Sequence, residues 1–202
     1  MKGFWFAVLL FSWGTFCFGK PPAHKSTLGK EIFPFTLKNV DGKAISLSDY
    51  PTAKGFIVLF ICNHCPFAKL YTERLNSLAM KYKAQGVPLL AINSMDTVVY
   101  DSELFGKMKE RAKQEHFQFP YLQDATQQVG RAFDAQRTPQ AYILWRENNK
   151  WRIKYSGAID NNGQDPSIAT PYIADAVQQL LSGKPVQIPE TEAVGCNIYY
   201  RK

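Results

Sequence analysis

The sequence predicts an α/β domain in which a mixed central β-sheet is flanked by helices. The prediction rests on a continuous apolar run over 55–61, on an amphipathic helical stripe that follows it, and on a hairpin pattern over 140–159. Strands that alternate with helices favour parallel pairing, whereas a hairpin adds antiparallel strands to the same sheet. A chain of 202 residues with 46% hydrophobic content is large enough to bury one core.

The first elements are an N-terminal β-hairpin, a buried strand and a long helix. The segment FTLKNVDGKAISLSDY alternates around Asp41-Gly42, a pair that favours a tight hairpin turn. The run GFIVLFI (55–61) is too apolar for an edge strand and suits a central strand covered on both faces. Apolar residues then recur at helical spacing from Pro66, which predicts one helix that ends near Gly86.

The rest of the chain continues this alternation and closes with a hairpin and a helix. The predicted elements, in order, are a buried strand over 87–94, an inserted helix over 103–116, a short strand in FPYLQ, a helix begun by a capping box of Asp124 and Gln127, a hairpin over 140–159 that turns near Asn148 and Asn149, and a helix over 167–182 that stops at Gly183.

The first nineteen residues have the layout of a secretory signal peptide. Lys2 is followed by about fifteen mostly apolar residues and then by the small Gly19, after which we expect cleavage. The alternative is a retained membrane anchor, although a spanning helix needs roughly 20 apolar residues. Lipid attachment at Cys17 is disfavoured, because Phe16 stands where that signal wants a small residue. The prediction is a secreted protein, in a periplasmic space where disulfides persist.

The distribution of charge indicates which partners the protein binds, and the apolar runs indicate how the chain is organised. The net charge of +7 is scattered along the chain rather than gathered in a dense basic arm, so nucleic-acid binding is not expected. No second apolar run of spanning length follows the signal. The predicted organisation is a signal peptide (1–19), a linker (20–30), one domain (31–183) and a C-terminal tail (184–202).

The segment FICNHCPFAK carries the chemistry. A Cys-x-x-Cys pair can be a redox dithiol, half of a zinc site or a structural disulfide, and here it falls where a buried strand meets a helix. Backbone N–H groups at a helix N-terminus favour negative charge, so Cys62 is expected to ionise more readily than a free thiol. Cys65, three residues later, would resolve the mixed disulfide that Cys62 forms. Pro66 suits the first helical turn, where its missing N–H costs nothing.

The residues around the pair have alternative interpretations. An imidazolium at His64 would stabilise a thiolate on Cys62, whereas an exposed His64 would have little effect. Asn63 is interpreted as a turn residue that caps the helix. Cys196, in AVGCNIYY, is a possible third redox thiol or a small packing residue.

The order of elements resembles the thioredoxin fold, and more narrowly the redoxin proteins related to alkyl hydroperoxide reductase and thiol-specific antioxidant. The resemblance is carried by Cys-x-x-Cys-Pro after a strand, a long helix, and Thr138-Pro139 before a later strand. CNHCP, PYLQD and the late GCN match an exported bacterial subgroup. The resemblance implies a thiol–disulfide oxidoreductase without a cofactor, in which Pro139 is cis and helps to bind the backbone of partner proteins.

Two departures from these families bear on function. No acidic residue lies in the strand before the cysteines to accept a proton, as one does in many thioredoxins. The peroxiredoxin signature Pro-x-x-x-Thr-x-x-Cys is also absent, because Gly55 and Leu59 occupy the Pro and Thr positions. A peroxiredoxin-like antioxidant therefore remains the alternative rather than the first choice.

The remaining alternatives are a metal-binding protein and a non-catalytic binding module. Copper delivery would use Cys62 and Cys65 with His116 or His24, but copper-delivery proteins of this fold space their cysteines by three residues rather than two. A closed zinc site would need further ligands at regular spacing, so no metal is predicted. A non-catalytic binding module would use the pair as a structural disulfide, but such a disulfide more often joins distant segments of a chain.

Overall fold

The computed structural model describes residues 26–202, so the predicted signal peptide lies outside the described residues. The strands are β1 (Glu31–Ile32), β2 (Thr36–Asn39), β3 (Ala44–Ser46), β4 (Gly55–Phe60), β5 (Leu89–Asn93), β6 (Tyr121–Gln123), β7 (Arg137–Thr138), β8 (Gln140–Glu147), β9 (Lys150–Gly157) and β10 (Cys196–Asn197). The helices are α1 (Pro66–Lys69), α2 (Thr72–Lys83), α3 (Phe105–Gln114), α4 (Gln128–Phe133) and α5 (Tyr172–Leu181), with 3-10 turns at Leu47–Asp49 and Asp101–Glu103.

Eight of these strands form one mixed sheet in the order β1-β9-β8-β4-β5-β6-β2-β3. Strand β4 lies between antiparallel β8 and parallel β5, and all six of its residues are buried. This burial explains why the strand is continuously apolar, as the sequence predicts. The arrangement confirms the thioredoxin-like fold, with its N-terminal hairpin and inserted helix.

Both predicted hairpins are confirmed. Strands β2 and β3 pair around Gly42, which has a positive φ of 92°. Strands β8 and β9 are joined by Asn148 and Asn149, both in the left-handed region, as a two-residue turn with the right twist requires.

The single long helix predicted from Pro66 is wrong, because the helix is broken between α1 and α2. The break places Tyr71 in a buried position where its hydroxyl donates to Asp160 at 3.0 Å. This contact is with a residue 89 positions away, so the local apolar spacing carries no sign of it.

Three predicted helix starts also differ. The helix predicted from 103 begins at Phe105, because Glu103 lies in the preceding 3-10 turn with its side chain buried. The capping box is wrong, since the carboxylate of Asp124 accepts from Gly130 N–H and Gln127 adopts a positive φ of 59°. The last helix begins at Tyr172 rather than at 167, because the residue before Pro171 is disfavoured in a helical conformation.

Candidate active site

The two cysteines of the Cys-x-x-Cys motif lie at the carboxyl end of the central strand. Cys62 follows β4, and Cys65 is the N-cap of α1. Both side chains are buried, and both are free thiols in this structure. Pro66 occupies the first helical turn, as predicted.

Thr138 brings the distant half of the predicted site to the cysteines. Its hydroxyl lies 3.1 Å from Cys62 Sγ, and its carbonyl accepts a hydrogen bond from Cys65 Sγ at 2.9 Å. The Thr138–Pro139 peptide bond is cis, as the resemblance implies. One residue of β7 therefore contacts both sulfurs of the pair.

The two thiols titrate as a pair. The neighbouring Cys65 thiol, followed by burial, raises the pKa of Cys62, whereas the neighbouring Cys62 thiol lowers the pKa of Cys65. The helix begins after Cys65, so its first-turn N–H groups favour a thiolate on that sulfur. The expectation that Cys62 ionises more readily than a free thiol stays a prediction.

Glu103 organises the loop between the two cysteines. Its side chain is fully buried and accepts hydrogen bonds from the backbone N–H groups of Asn63 (2.8 Å) and His64 (3.0 Å). It also accepts from the Asn93 side chain at 2.7 Å. A carboxylate satisfied by this many donors holds the loop in one conformation.

Glu103 is the acidic residue that the sequence does not reveal. It reaches the site from the 3-10 turn before α3, about half-way between the cysteines and Thr138 along the chain. After the hydrogen bond with Cys65 and after burial, its charge is a further cause that raises the pKa of Cys62. No local pattern distinguishes this glutamate from the solvent-exposed acidic residues nearby.

Asn63 does not cap the helix, which corrects the sequence-based interpretation. Its side-chain amide donates to the carbonyl of Ser102 at 2.8 Å and accepts from the hydroxyl of Tyr121 at 2.9 Å. The N-cap position belongs to Cys65 instead. Asn63 therefore links the cysteine loop to the inserted segment and to β6.

Arg111 is a second residue that the sequence does not single out. Its guanidinium is buried, donates to the backbone carbonyl of Cys62 at 2.5 Å and pairs with Glu115 at 3.0 Å. The cation thus holds the cysteine backbone rather than the sulfur.

His64 contacts Glu103 more closely than it contacts Cys62. Its Nδ1 lies 2.7 Å from Glu103 Oε1 and 3.8 Å from Cys62 Sγ, while its ring stacks on Tyr100. Because a carboxylate only accepts, Nδ1 donates to Glu103. The side chain is 33% exposed, so one face of the ring remains open to solvent.

Replacing His64 with alanine should raise the pKa of Cys62. Glu103, acting after the Cys65 hydrogen bond and burial, raises that pKa, and the variant loses the nitrogen that partly offsets its charge. A less stable thiolate of the cysteine pair disfavours the reduced form at a pH above the first pKa of the pair, so the reduction potential measured there should become more negative, by about 30 mV for each 1.4 kcal/mol. Equilibration with glutathione measures the potential, and the exposed His116→Ala variant is the control. An unchanged potential would contradict this role.

Cys196 also lies beside the pair. It is half-buried in β10, where its register partner is Thr138 of β7. Thr138 in turn accepts the hydrogen bond of Cys65 Sγ through its carbonyl. The structure thus brings all three cysteines of the described chain together.

The described residues from 28 onwards match a family model. The model, AhpC/TSA family, covers residues 28–164. The chain belongs to the AhpC/TSA family.

Two solved structures are similar to this AhpC/TSA member over most of its length. An uncharacterised conserved protein from Geobacillus kaustophilus is 37% identical, with a TM-score of 0.78, and the match covers 86% of this chain and 92% of that one. A hypothetical protein from Sinorhizobium meliloti 1021 is 30% identical, with a TM-score of 0.79 and coverage of 88% and 97%. Neither protein is named for an activity.

A curated relative of this AhpC/TSA chain is named for an activity. The thiol-disulfide oxidoreductase ResA of Bacillus thuringiensis subsp. konkukian is 25% identical over 120 residues, which are 59% of this chain and 65% of ResA. The chain thus spans less than two thirds of the length of that relative.

The AhpC/TSA site also contains a group of atoms that could bind a cation. Within the part of the chain that the structure describes, Cys62, His64 and Glu103 place ligand atoms within 4.8 Å of one another. Both oxygens of Glu103 already accept hydrogen bonds, so a cation would have to displace those donors. His116, suggested above as a copper ligand, is not in this group, and His24 lies outside the described residues.

Proposed function

We propose that this chain is an exported thiol–disulfide oxidoreductase that exchanges disulfides with partner proteins through Cys62 and Cys65. The observation that carries the proposal is the pair of thiols at the start of α1, both of which contact Thr138 beside the cis peptide bond of Pro139. The activity named for the relative ResA supports it.

The reaction moves one disulfide between two proteins. The Cys62 thiolate attacks a sulfur of the partner's disulfide, and the partner's other sulfur leaves as a thiolate. Cys65 then attacks Cys62 Sγ in the mixed disulfide and releases the second partner thiolate. The partner gains two electrons, and the Cys62–Cys65 pair loses two and becomes a disulfide. A protein dithiol acting as electron donor reverses both steps, becomes a disulfide itself and returns Cys62 and Cys65 to thiols.

Attack by Cys62 is compatible with the acidity of the resting pair. The two thiols titrate as a pair, so the thiolate formed when the pair loses one proton can shift to Cys62 as the partner approaches. When Cys62 is tied up in the mixed disulfide, backbone N–H groups still favour a thiolate on Cys65. The low pKa of Cys65 therefore suits the resolving step.

A partner protein has an apolar surface to bind beside the sulfurs. Pro139 lines a groove with Phe67, Leu70 and Val194, and these three neighbours are all more than 40% exposed. This surface supports the role of Pro139 in binding an extended partner segment, and an extended peptide carrying apolar residues beside its cysteine fits it best.

Peroxide reduction is the second candidate, because the family also includes thiol-specific antioxidants. The site supports it less well. Leu59 is a buried apolar residue where the peroxiredoxin signature has threonine, and Arg111 donates to the carbonyl of Cys62 rather than facing its sulfur.

An exchange assay beside a peroxide assay tests the proposal. The reduced protein should reduce the disulfides of a model protein such as insulin, while consuming hydrogen peroxide no faster than a free thiol does. Metal analysis of protein purified without chelator addresses the copper alternative. Rapid peroxide consumption without disulfide exchange would contradict the proposal. So would a stoichiometric amount of bound copper in a protein that shows neither activity.

The export part of the proposal rests on the N-terminal sequence. Residues 1–19 carry the predicted signal, and among residues 26–202 there is no helix of the length and apolarity needed to cross a membrane. N-terminal sequencing of protein recovered from the periplasm of a bacterial host should begin at Lys20. Recovery of the intact N-terminus in the membrane fraction would favour a retained anchor.

A further inference from the structure

The C-terminal segment lies directly on the active-site strand. Strand β10 pairs with β7 in antiparallel register, with Cys196 opposite Thr138. Gly195 packs so closely that a Cβ there would be 2.1 Å from the carbonyl oxygen of Thr138. Since real Cβ atoms do not approach this closely, glycine at 195 is what allows the next residue, Cys196, to reach the site.

Contacts on both sides of Cys196 hold this segment in place. Before it, the backbone N–H of Thr191 donates to Ser156 at 3.0 Å. After it, Ile198 N–H donates to Gln136 at 2.9 Å. Cys196 is therefore held by backbone hydrogen bonds of its flanking residues, rather than lying on a free tail.

The position of Cys196 selects Cys65 as its neighbour. Thr138 O accepts from Cys65 Sγ at 2.9 Å, and Thr138 is also the register partner of Cys196. Cys62 instead contacts the side-chain hydroxyl of Thr138. Of the two active-site thiols, Cys65 is therefore the one that lies against the backbone of the residue with which Cys196 pairs.

We propose that Cys196 is a third exchange thiol that forms a disulfide with Cys65. In the oxidised protein, the Cys196 thiolate attacks Cys65 Sγ, the Cys62–Cys65 bond breaks, and Cys62 leaves with the electron pair and takes up the proton that Cys196 lost. One disulfide and one thiol are present before and after, so no external oxidant is needed. The inference rests on the proposed function, in which Cys62–Cys65 becomes a disulfide.

The reaction moves the disulfide away from Cys62 and returns that residue to its thiol form. Cys62 can then attack a second partner while the chain still stores one disulfide. The reduced state opposes ionisation of Cys196, because burial, with the hydrogen bond and charge of Cys65, raises its pKa to about 11. The two contributions from Cys65 end when that sulfur is part of a disulfide, so oxidation of the pair favours the attacking form of Cys196.

Disulfide mapping of the Cys62→Ser variant tests the inference. The variant is equilibrated with reduced and oxidised glutathione, quenched in acid, alkylated and mapped by mass spectrometry. We expect a linked Cys65–Cys196 peptide and loss of both thiols to alkylation, because the fixed geometry gives the two sulfurs a high effective concentration. The matched Cys65→Ser variant, which retains Cys62 and Cys196, should form glutathione adducts instead of an internal link.

The wild-type protein separates this inference from the proposed function. After partial oxidation and acid quenching, it should yield both Cys62–Cys65 and Cys65–Cys196 peptides. The inference would be overturned, and the proposed function left standing, if the wild type yielded Cys62–Cys65 peptides alone. The same conclusion would follow if a Cys62→Ser variant with a native circular dichroism spectrum carried glutathione on Cys65 and a free Cys196. Absence of any Cys62–Cys65 disulfide in the wild type would overturn the proposed function itself.

Discussion

Replacing Cys65 with serine should turn the protein into a covalent trap for its partners. If Cys62 attacks and Cys65 resolves, the variant keeps the first step and loses the second, so mixed disulfides accumulate. Replacing Cys62 with serine should instead reduce exchange by a factor on the order of 10³ or more, the scale on which loss of a nucleophile is felt. Non-reducing electrophoresis after incubation with a disulfide-bonded protein, followed by mass spectrometry, measures both effects.

The same pair of variants can contradict the assignment. Adducts formed by Cys62→Ser, with none formed by Cys65→Ser, would make Cys65 the attacking thiol, as its lower pKa alone suggests. Adducts with neither variant would contradict the exchange function of the dithiol. Wild-type protein carried through the same alkylation shows the background.

Replacing Glu103 with glutamine should have the second largest effect, on both stability and potential. The amide nitrogen of glutamine would face groups that donate to Glu103, such as Asn63 N–H and the Asn93 side chain, so we expect a loss of about 1–3 kcal/mol in the free energy of unfolding. The charge of Glu103 raises the pKa of Cys62, after the Cys65 hydrogen bond and burial, so its removal should lower that pKa.

The sign of the change in potential follows from the thiolate. Removing the Glu103 charge favours the thiolate of the cysteine pair, which stabilises the reduced form once the pH exceeds the first pKa of the pair. The reduction potential measured there should become less negative, by about 30 mV for each unit by which that pKa falls. Denaturant unfolding, thiolate absorbance against pH and glutathione equilibration measure the three quantities. Glu110→Gln is the matched control, since Glu110 is exposed on α3 and forms an ion pair with Lys107, away from the cysteines. A folded Glu103→Gln protein with unchanged pKa and potential would contradict the role.

Much of the fold follows from local pattern. Strand β4 is predicted by its unbroken apolar run, and the two hairpins are predicted by Asp41-Gly42 and by the adjacent asparagines 148 and 149. In each case the signal lies within a few residues of the element. The break between α1 and α2 is missed because it accompanies the burial of Tyr71 against Asp160, a contact across 89 positions.

The site divides in the same way. The Cys-x-x-Cys spacing and Thr138-Pro139 are visible in the sequence, and the structure brings them into contact. Glu103 accepts a hydrogen bond from the backbone N–H of Asn63, which lies 40 residues away in the chain. Nothing near Glu103 in the sequence shows that its side chain is buried. The environment of the two thiols likewise depends on Thr138 and Glu103, which lie far from them in the sequence.

Thr138 offers a way to observe the site without changing it. Its hydroxyl contacts Cys62, its carbonyl contacts Cys65, and its backbone pairs with Cys196. Any disulfide formed among these sulfurs removes a different one of its hydrogen bonds or alters its strand pairing. The methyl and amide resonances of this single threonine should therefore have distinct chemical shifts in the reduced protein and in each disulfide isomer, so that one isotopic label reports the redox state of three cysteines in real time.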